Sequence, residues 1–261
     1  MSNTERLVGL ARRLPPVLAQ VGVRLLRAAR APSAAARYLR DRRAYRRLPS
    51  AEPLRWRDAF PQLGDRLTTS PFDCHYFYQD VWAARHVAAY APERHVDVGS
   101  RVDYVGFLTT ICDVAFVDIR PLTAQLDRLE SIEGSVLDMP FADHSVHSLS
   151  CLHVAEHIGL GRYGDPLDPL GTRRAAAELQ RVLMPGGQLL FSLPVGQPRV
   201  CFNAHRIHDP HDVVEMFDEL QLVEFSGVDD GGVFRRDRGL RELAYARYGC
   251  GMFRFIRAAA A

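Results

Sequence analysis

The spacing of apolar and polar residues changes several times along the chain, and each change marks a predicted element. Leu7, Leu10, Leu14, Val17, Leu18, Val21, Leu25 and Leu26 recur at helical spacing with Arg between them. Residues 1–50 therefore read as an Arg-rich helical extension, divided into short helices by Pro15, Pro16 and Pro32. Residues 51–90 read as an aromatic entry or lid segment: Pro53, Pro61 and Pro71 interrupt a run containing Trp56, Phe60, Phe72, Tyr76, Phe77 and Tyr78. That segment ends in a helix over 80–90, with Val81, Trp82, Val87 and Ala88 facing inward. Residues 91–261 then alternate. Strands are predicted near 95–98, 114–118, 132–136, 146–152, 188–193, 222–225 and 252–256. Helices are predicted near 102–110, 121–129, 172–184, 213–220 and 240–248. Pro121 and the Asp209-Pro210 pair are helix-start signals, and Pro185-Gly186-Gly187 is a turn. This alternation argues an α/β doubly wound sheet of about seven strands, mostly parallel, with the last two forming an antiparallel hairpin-like edge.

Composition adds an asymmetry. The net charge is only +2, but residues 1–47 carry twelve Arg against two acids, about +10, which leaves about −8 for the remainder. Lys is absent, so the basic side chains other than His are all Arg. The basic segment is read as a helical arm that packs on the domain or on a partner subunit in self-association, an amphipathic segment on an anionic membrane surface, or a targeting or unstructured segment. No nucleic-acid partner is expected, because the acidic body offers no second basic patch. The five Cys are scattered without a C-x-x-C, as expected of free thiols in a reducing compartment. No apolar run is long enough to span a membrane. The expected location is cytoplasmic, with peripheral membrane contact through residues 1–47 as the other reading.

An open α/β sheet binds its ligand beyond the carboxyl ends of its strands. Asp97, Gly99, Ser100, Arg101, Asp118, Ile119, Asp138, Met139 and His153 fall there. Asp118 lies 19 residues after Gly99, the spacing at which an acid accepts hydrogen bonds from a ribose. Asp138 would accept from an adenine amino group, with Met139 against the ring, while Ser100 and Arg101 would face the rest of the cofactor. For both acids the competing reading is a helix cap. Two polar clusters follow. His153, Glu156 and His157 would share one face if a helix forms, with Arg162 and Tyr163 beyond them. His205, Arg206 and Asn203 follow the fifth strand at the same sheet edge. His153, His157 and His205 are candidates for a general base. Glu156, Arg162, Tyr163, Asn203 and Arg206 are candidates for acceptor contact. The H-x-x-E-H order is also an inverted zinc-hydrolase pattern. Gly159, Gly161 and Gly164 would stop its helix within two turns, so no metal ligand is assigned.

The order D-V-G-S, F-V-D-I-R-P, V-L-D-M-P-F, S-L-S-C-L-H-V-A-E-H and E-L-Q-R-V-L-M-P-G-G resembles a class I S-adenosylmethionine-dependent methyltransferase over roughly residues 76–257. The H-V-A-E-H-I-G-L-G-R-Y-G-D-P-L-D-P-L-G and F-N-A-H-R runs resemble, more narrowly, a bacterial and nematode branch of methyltransferase-like proteins. The resemblance implies a Rossmann-like domain, S-adenosyl-L-methionine as cofactor and methyl transfer as activity. The chain departs from the family at the glycine turn, where Ser100 and Asp103 stand in place of further glycines. A dinucleotide needs a well-formed pyrophosphate nest, whereas the methyl donor carries no phosphate and tolerates a poorer turn. No amide- or base-methylating motif follows the fourth strand. The acceptor expected is a hydroxyl of a small molecule or saccharide, as in polysaccharide biosynthesis. The alternatives are a methyltransferase-like scaffold without catalysis and, on the H-x-x-E-H order, a metal-dependent hydrolase.

Overall fold

The structure is a computed structural model and describes residues 32–259. The short helices expected within residues 1–31 lie outside the described residues. The chain divides into two compact units at Pro71/Phe72. In the first, a helix over 32–45 (α1) precedes a single 3-10 turn, Trp56–Asp58. The Arg42 guanidinium lies 3.9 Å from the centroid of the Trp56 ring and also donates to the Leu54 carbonyl at 2.9 Å.

The second unit opens with α2, Cys74–Tyr90, six residues earlier than predicted. Its start is set by Asp73, whose carboxylate accepts from the His75 and Tyr76 amides at 3.0 and 3.3 Å. The buried stripe runs through His75, Gln79, Trp82, Ala83, His86 and Val87. Val81 and Ala88, expected inside, face outward. With the helix starting at Cys74, the stripe that closes on the sheet falls one position away from them.

The strands are β1 (Arg94–Val98), β2 (Asp113–Asp118), β3 (Leu129–Glu133), β4 (Val146–Leu152), β5 (Leu183–Val195), β6 (Arg199–Cys201), β7 (His205–Ile207), β8 (Gln221–Val228), β9 (Phe234–Arg235) and β10 (Gly249–Ile256). Eight of them form one sheet in the order β3-β2-β1-β4-β5-β10-β8-β9, and β6 pairs with β7 as a separate hairpin. β3 through β5 are parallel, whereas β10 is antiparallel to both β5 and β8. The two last predicted strands pair antiparallel as expected, as β8 and β10, but β10 lies inside the sheet and the short β9 forms the antiparallel edge. The side chains of β10 require this place. Phe253 and Phe255 enter the core on one face and Cys250 and Met252 that on the other, so the strand cannot have a solvated side.

The remaining helices are α3 (Val102–Leu108), α4 (Gly171–Val182), α5 (Pro210–Met216) and α6 (Arg241–Ala244). In α4, Ala175, Ala176, Leu179 and Val182 form the buried stripe. The Pro185-Gly186-Gly187 turn becomes a bulge in β5: Leu183 stands opposite Val146 and Gln188 opposite Ser148, with Gly186 at φ +79°. The helix predicted over 121–129 does not form. β3 begins at Leu129, three residues earlier than expected, because its register with β2 pairs Leu129 with Val114. The connection left between them is a loop tied by the Leu122 amide to Ser131 Oγ at 2.8 Å. The helix predicted over 240–248 is a single turn, because the Asp230 carboxylate captures the Arg247 and Tyr248 amides, each at 2.8 Å. Among the described residues no helix is long and apolar enough to cross a membrane.

Candidate active site

The turn after β1 rests on a buried polar chain. His95 and Asp97 point to the same face of β1, as strand alternation requires, and both are fully buried. Gln188 Nε2 donates to Ser148 Oγ at 3.1 Å. His95 Nδ1 and Nε2 lie 2.8 Å from Ser148 Oγ and Ser150 Oγ. Ser150 donates to an Asp97 carboxylate oxygen, and the other oxygen accepts from the Ser100 amide at 3.0 Å. Because Ser150 gives its proton to Asp97, its oxygen must accept from His95. This fixes the proton on His95 Nε2 and makes Nδ1 the acceptor for Ser148. Burial drops the His95 pKa to about 3 and lifts that of Asp97 to about 7, the latter against the hydrogen bonds of Ser150 and Ser100. Asp97, expected to touch the cofactor, instead shapes the turn from behind it. Ser100 is tied in as well, its Oγ accepting from the Leu152 amide at 3.1 Å.

Gly99 takes φ +64° and donates to the Val117 carbonyl at 2.9 Å. A Cβ there would sit 3.3 Å from a Val154 methyl and 3.6 Å from Asp118 Oδ2. The missing side chain thus leaves a bare backbone facing the Asp118 carboxylate. Asp118 ends β2, opposite Glu133. Its Oδ1 accepts from the Arg120 amide at 2.7 Å, with Arg120 Nε 3.6 Å away.

Two depressions meet at Gly99, Asp118 and Arg120. One, about 110 Å³, is walled by Ile119, Val136, Leu137, Val154, His153 and His157. The other, about 420 Å³, runs past Ser100, Arg101 and Val102 to Pro121 and Thr123. Seven of the expected cofactor residues meet here or directly support this place: Asp97, Gly99, Ser100, Arg101, Asp118, Ile119 and His153. Asp138 and Met139 do not. Asp138 is exposed, and its amide closes a turn onto the Ser135 carbonyl at 3.0 Å. Met139 is in the core, its amide held by Glu178 at 2.6 Å. Closing that turn turns Val136 and Leu137 toward the cavity instead. Sequence pattern had no means to prefer them, since the turn is made by backbone contacts.

The H-x-x-E-H run does not form a helix carrying both histidines. Only a 3-10 turn, Ala155–His157, is present, and His153 precedes it at φ +56°. The zinc-hydrolase arrangement is therefore not built. Instead Glu156 lies buried between the rings: Oε1 is 2.7 Å from His153 Nδ1 and 3.6 Å from His157 Nε2. Burial alone would discharge His153, but Cys250 and the Glu156 carboxylate outweigh it and raise its pKa well above the ordinary value. Burial likewise opposes charge on Glu156, and His153 outweighs it, so the Glu156 pKa is lowered. His157 is the reverse case: burial lowers its pKa against the pull of Glu156. Its Nδ1 lies 2.6 Å from the Ala204 carbonyl, so the neutral ring carries its proton on Nδ1 and leaves Nε2 as a base. The loop that follows is wound around Asp165, which accepts from the Gly159 and Tyr163 amides at 2.6 and 3.2 Å. Gly159 must be glycine, since a Cβ there would fall 2.1 Å from the Asp168 carbonyl oxygen.

The proposed acceptor residues separate. Tyr163 walls the smaller cavity, with the Arg120 guanidinium 4.6 Å and that of Arg162 5.1 Å from its ring centroid. Arg162 also donates to the Ala204 carbonyl at 3.1 Å. Arg206, by contrast, is buried and clamps the loop from beneath, bonding the Ile158 carbonyl and, at 2.8 Å, the Asp168 carbonyl. Asn203 is exposed in the β6–β7 turn. Glu156 is too deeply buried to meet an acceptor. His205 is half-buried, 5.1 Å from the Tyr248 ring, and does not line either depression. His75, Tyr248 and Cys250 were not legible as site residues. They reach the neighbourhood of His153 from α2, from the residue before β10 and from β10 itself, so no local motif joins them.

Residues 114–233 match a family described as a Caenorhabditis protein of unknown function, DUF268. No curated protein matches the chain. Among solved structures, the chain is similar to the N-methyltransferase NodS from Bradyrhizobium japonicum WM9 in complex with S-adenosyl-L-homocysteine: TM-score 0.51, 16% identity, covering 73% of this chain and 89% of that one. It is similar to a candidate sarcosine dimethylglycine methyltransferase from Galdieria sulphuraria, with TM-score 0.51 and 14% identity over 70% of this chain and 86% of that one. It is also similar to the [4+2]-cyclase SpnF, with TM-score 0.50 and 13% identity over 71% of this chain and 82% of that one. The second unit thus has the fold of class I S-adenosylmethionine-dependent methyltransferases. SpnF, described as a cyclase, marks the limit of that statement: the fold does not by itself fix the reaction.

Proposed function

We propose that the protein binds S-adenosyl-L-methionine and transfers its methyl group to a hydroxyl of a small molecule or saccharide. The observation that carries this reading is the Asp118 carboxylate at the carboxyl edge of β2. One of its oxygens is bound by the Arg120 amide, and the other faces the bare Gly99 backbone. A carboxylate so placed accepts from a ribose diol, and the absent Cβ leaves room for the sugar. Ile119, Val136 and Leu137 offer apolar contact to a base, and Ser100 and Arg101 border the rest of the cleft. These residues fit a nucleoside cofactor without phosphate. No second or third glycine prepares a pyrophosphate nest, which weighs against a dinucleotide.

When bound, the cofactor supplies an electrophilic methyl on a sulfonium. The chain's own part is to orient the acceptor and take its proton. His157 serves as the base: it is neutral, lines the cavity and has Nε2 free to accept. The proton taken from an acceptor hydroxyl rests on Nε2, where the Glu156 carboxylate 3.6 Å away stabilises the resulting imidazolium. Tyr163, between Arg120 and Arg162, forms the wall against which a sugar ring or small alcohol would stack. Isothermal titration with S-adenosylmethionine and its demethylated product tests the reading. Binding of both is expected, and a folded protein that binds neither at millimolar ligand overturns it.

A further inference from the structure

The buried groups left over by this mechanism converge beside the cavity. His75 comes from the first turn of α2, His153 from the residue after β4 and Cys250 from β10. One ring nitrogen from each His and the Cys sulfur all lie within 4.8 Å of one another, and all three side chains are buried. His153 Nε2 is buried with no hydrogen-bond partner, while its Nδ1 is held by Glu156 at 2.7 Å. Glu156 Oε2 is also buried without a partner. Cys250 Sγ lies 3.9 Å from Gln79 Oε1 and 4.0 Å from the Gly251 carbonyl, both long contacts. The His75 and His153 rings are nearly parallel, 12° apart, with centroids 5.7 Å apart.

We propose that His75, His153 and Cys250 bind one thiophilic divalent cation of the zinc class. The donor set argues its identity: a thiolate with two imidazoles selects zinc-like ions over magnesium or calcium, which prefer oxygen. The second layer argues that the site is built for a cation. In metal sites a ligating imidazole characteristically gives its other N–H to a carboxylate, which fixes the tautomer and turns the lone pair toward the ion. His153 with Glu156 has that arrangement: Nδ1 is held by the carboxylate at 2.7 Å and Nε2 has no hydrogen-bond partner. A cation there would satisfy His153 Nε2, and its charge would balance that of the buried Glu156 carboxylate. Binding releases to solvent the proton that Glu156 and Cys250 favour on His153 as well as the Cys250 thiol proton, because a neutral imidazole and a thiolate are the ligands. Three protein ligands leave a fourth tetrahedral position for water or an acceptor oxygen. His153 is also part of the cavity wall, so one ligand of the ion belongs to the proposed methyl-transfer site. Sequence spacing hides the site, since its ligands are 78 and 97 residues apart on three separate elements.

The test is metal binding to the full chain without cofactor, so its outcome is separate from that of methyl transfer. After chelator treatment and dialysis, the wild type should take up one equivalent of Zn²⁺. With Co²⁺ it should show a thiolate-to-cobalt charge-transfer band, a readout that needs no variant. Cys250→Ser should lose that band, and His75→Ala and His153→Ala should lose stoichiometric binding, with folding checked by circular dichroism. Glu156→Gln should weaken binding about 10–100-fold. His147→Ala, on an exposed position of β4, should behave as wild type. A folded wild type that takes up no stoichiometric Zn²⁺ or Co²⁺, or one whose uptake survives both Cys250→Ser and His153→Ala, overturns the proposal.

Discussion

Replacing Asp118 by Asn removes the charge from the cofactor cleft while keeping the shape of the side chain. In the folded protein Asp118 makes one local bond, Oδ1 to the Arg120 amide at 2.7 Å, and faces Gly99 with Oδ2. The amide oxygen of Asn can keep the local bond, so stability should fall by no more than about 1 kcal/mol. Oδ2 becomes an NH₂ that can no longer accept from a ribose hydroxyl. A hydrogen bond to a charged group contributes about 1.5–3 kcal/mol, and every 1.4 kcal/mol is tenfold in affinity. S-adenosylmethionine should therefore bind about 10–150-fold more weakly by isothermal titration, with the melting temperature almost unchanged. Gly99→Ala probes the same contact from the other side. Its left-handed φ costs roughly 1–2 kcal/mol in stability, and its new methyl stands 3.6 Å from Oδ2 where the sugar would enter. The two variants should thus weaken the same ligand, one mainly through charge and the other mainly through space. Affinity within threefold of wild type for Asp118→Asn would refute the ribose assignment.

Other consequences can be checked separately. His157→Gln should reduce kcat by roughly 10²–10⁴ with little change in cofactor affinity, measured as methyl transfer to an identified acceptor. Because burial lowers the His157 pKa, the wild-type rate should stay flat through neutral pH and decline only below the ordinary His range, near 6.5. A rate that falls as pH drops from 8 to 7 would exclude His157 as the base. His95 should make the fold acid-sensitive. Its folded pKa, about 3, lies below the unfolded value near 6.5, so the unfolded chain binds the proton first and stability is lost as pH falls below 6.5. Asp97, raised to about 7 in the same hydrogen-bonded chain, acts in the opposite sense as pH falls from about 7 toward the ordinary carboxylate range, so the His95 contribution is read as a difference between proteins. Denaturant melts of the wild type and His95→Asn across that range should differ in slope. Phe217→Ala should cost about 3–5 kcal/mol in urea unfolding, since the ring is buried with centroids 4.9 and 4.7 Å from those of Phe191 and Phe255. If residues 1–47 touch membranes, the chain should co-sediment with anionic vesicles and release with salt, whereas equal binding to neutral vesicles would rule that out.

Legibility followed how local the determining physics is. The first βαβ unit could be read because a glycine turn and an acid one strand later are tied by chain spacing alone. Gly99 and Asp118 fall where that spacing places them. The α4 stripe and the Asp209-Pro210 start were legible for the same reason: one turn of helix fixes each. Asp97 and Arg206 mislead because sequence gives residue type and position but not depth. One supports the turn from behind it, and the other clamps a loop from beneath. The helix expected over 121–129 had a valid start signal, which lost to the pairing of Leu129 with Val114, a contact between strands.

By itself, then, the chain's order of apolar runs determined a mostly parallel α/β sheet, and two residues 19 apart determined where the glycine turn meets the acid of the next strand. Only tertiary structure decided that β10 enters the sheet between β5 and β8, because that depends on burying both of its faces at once. The same insertion places Cys250 beside His75 and His153. No local periodicity records that meeting, since three strangers in sequence become neighbours only when the sheet closes over them.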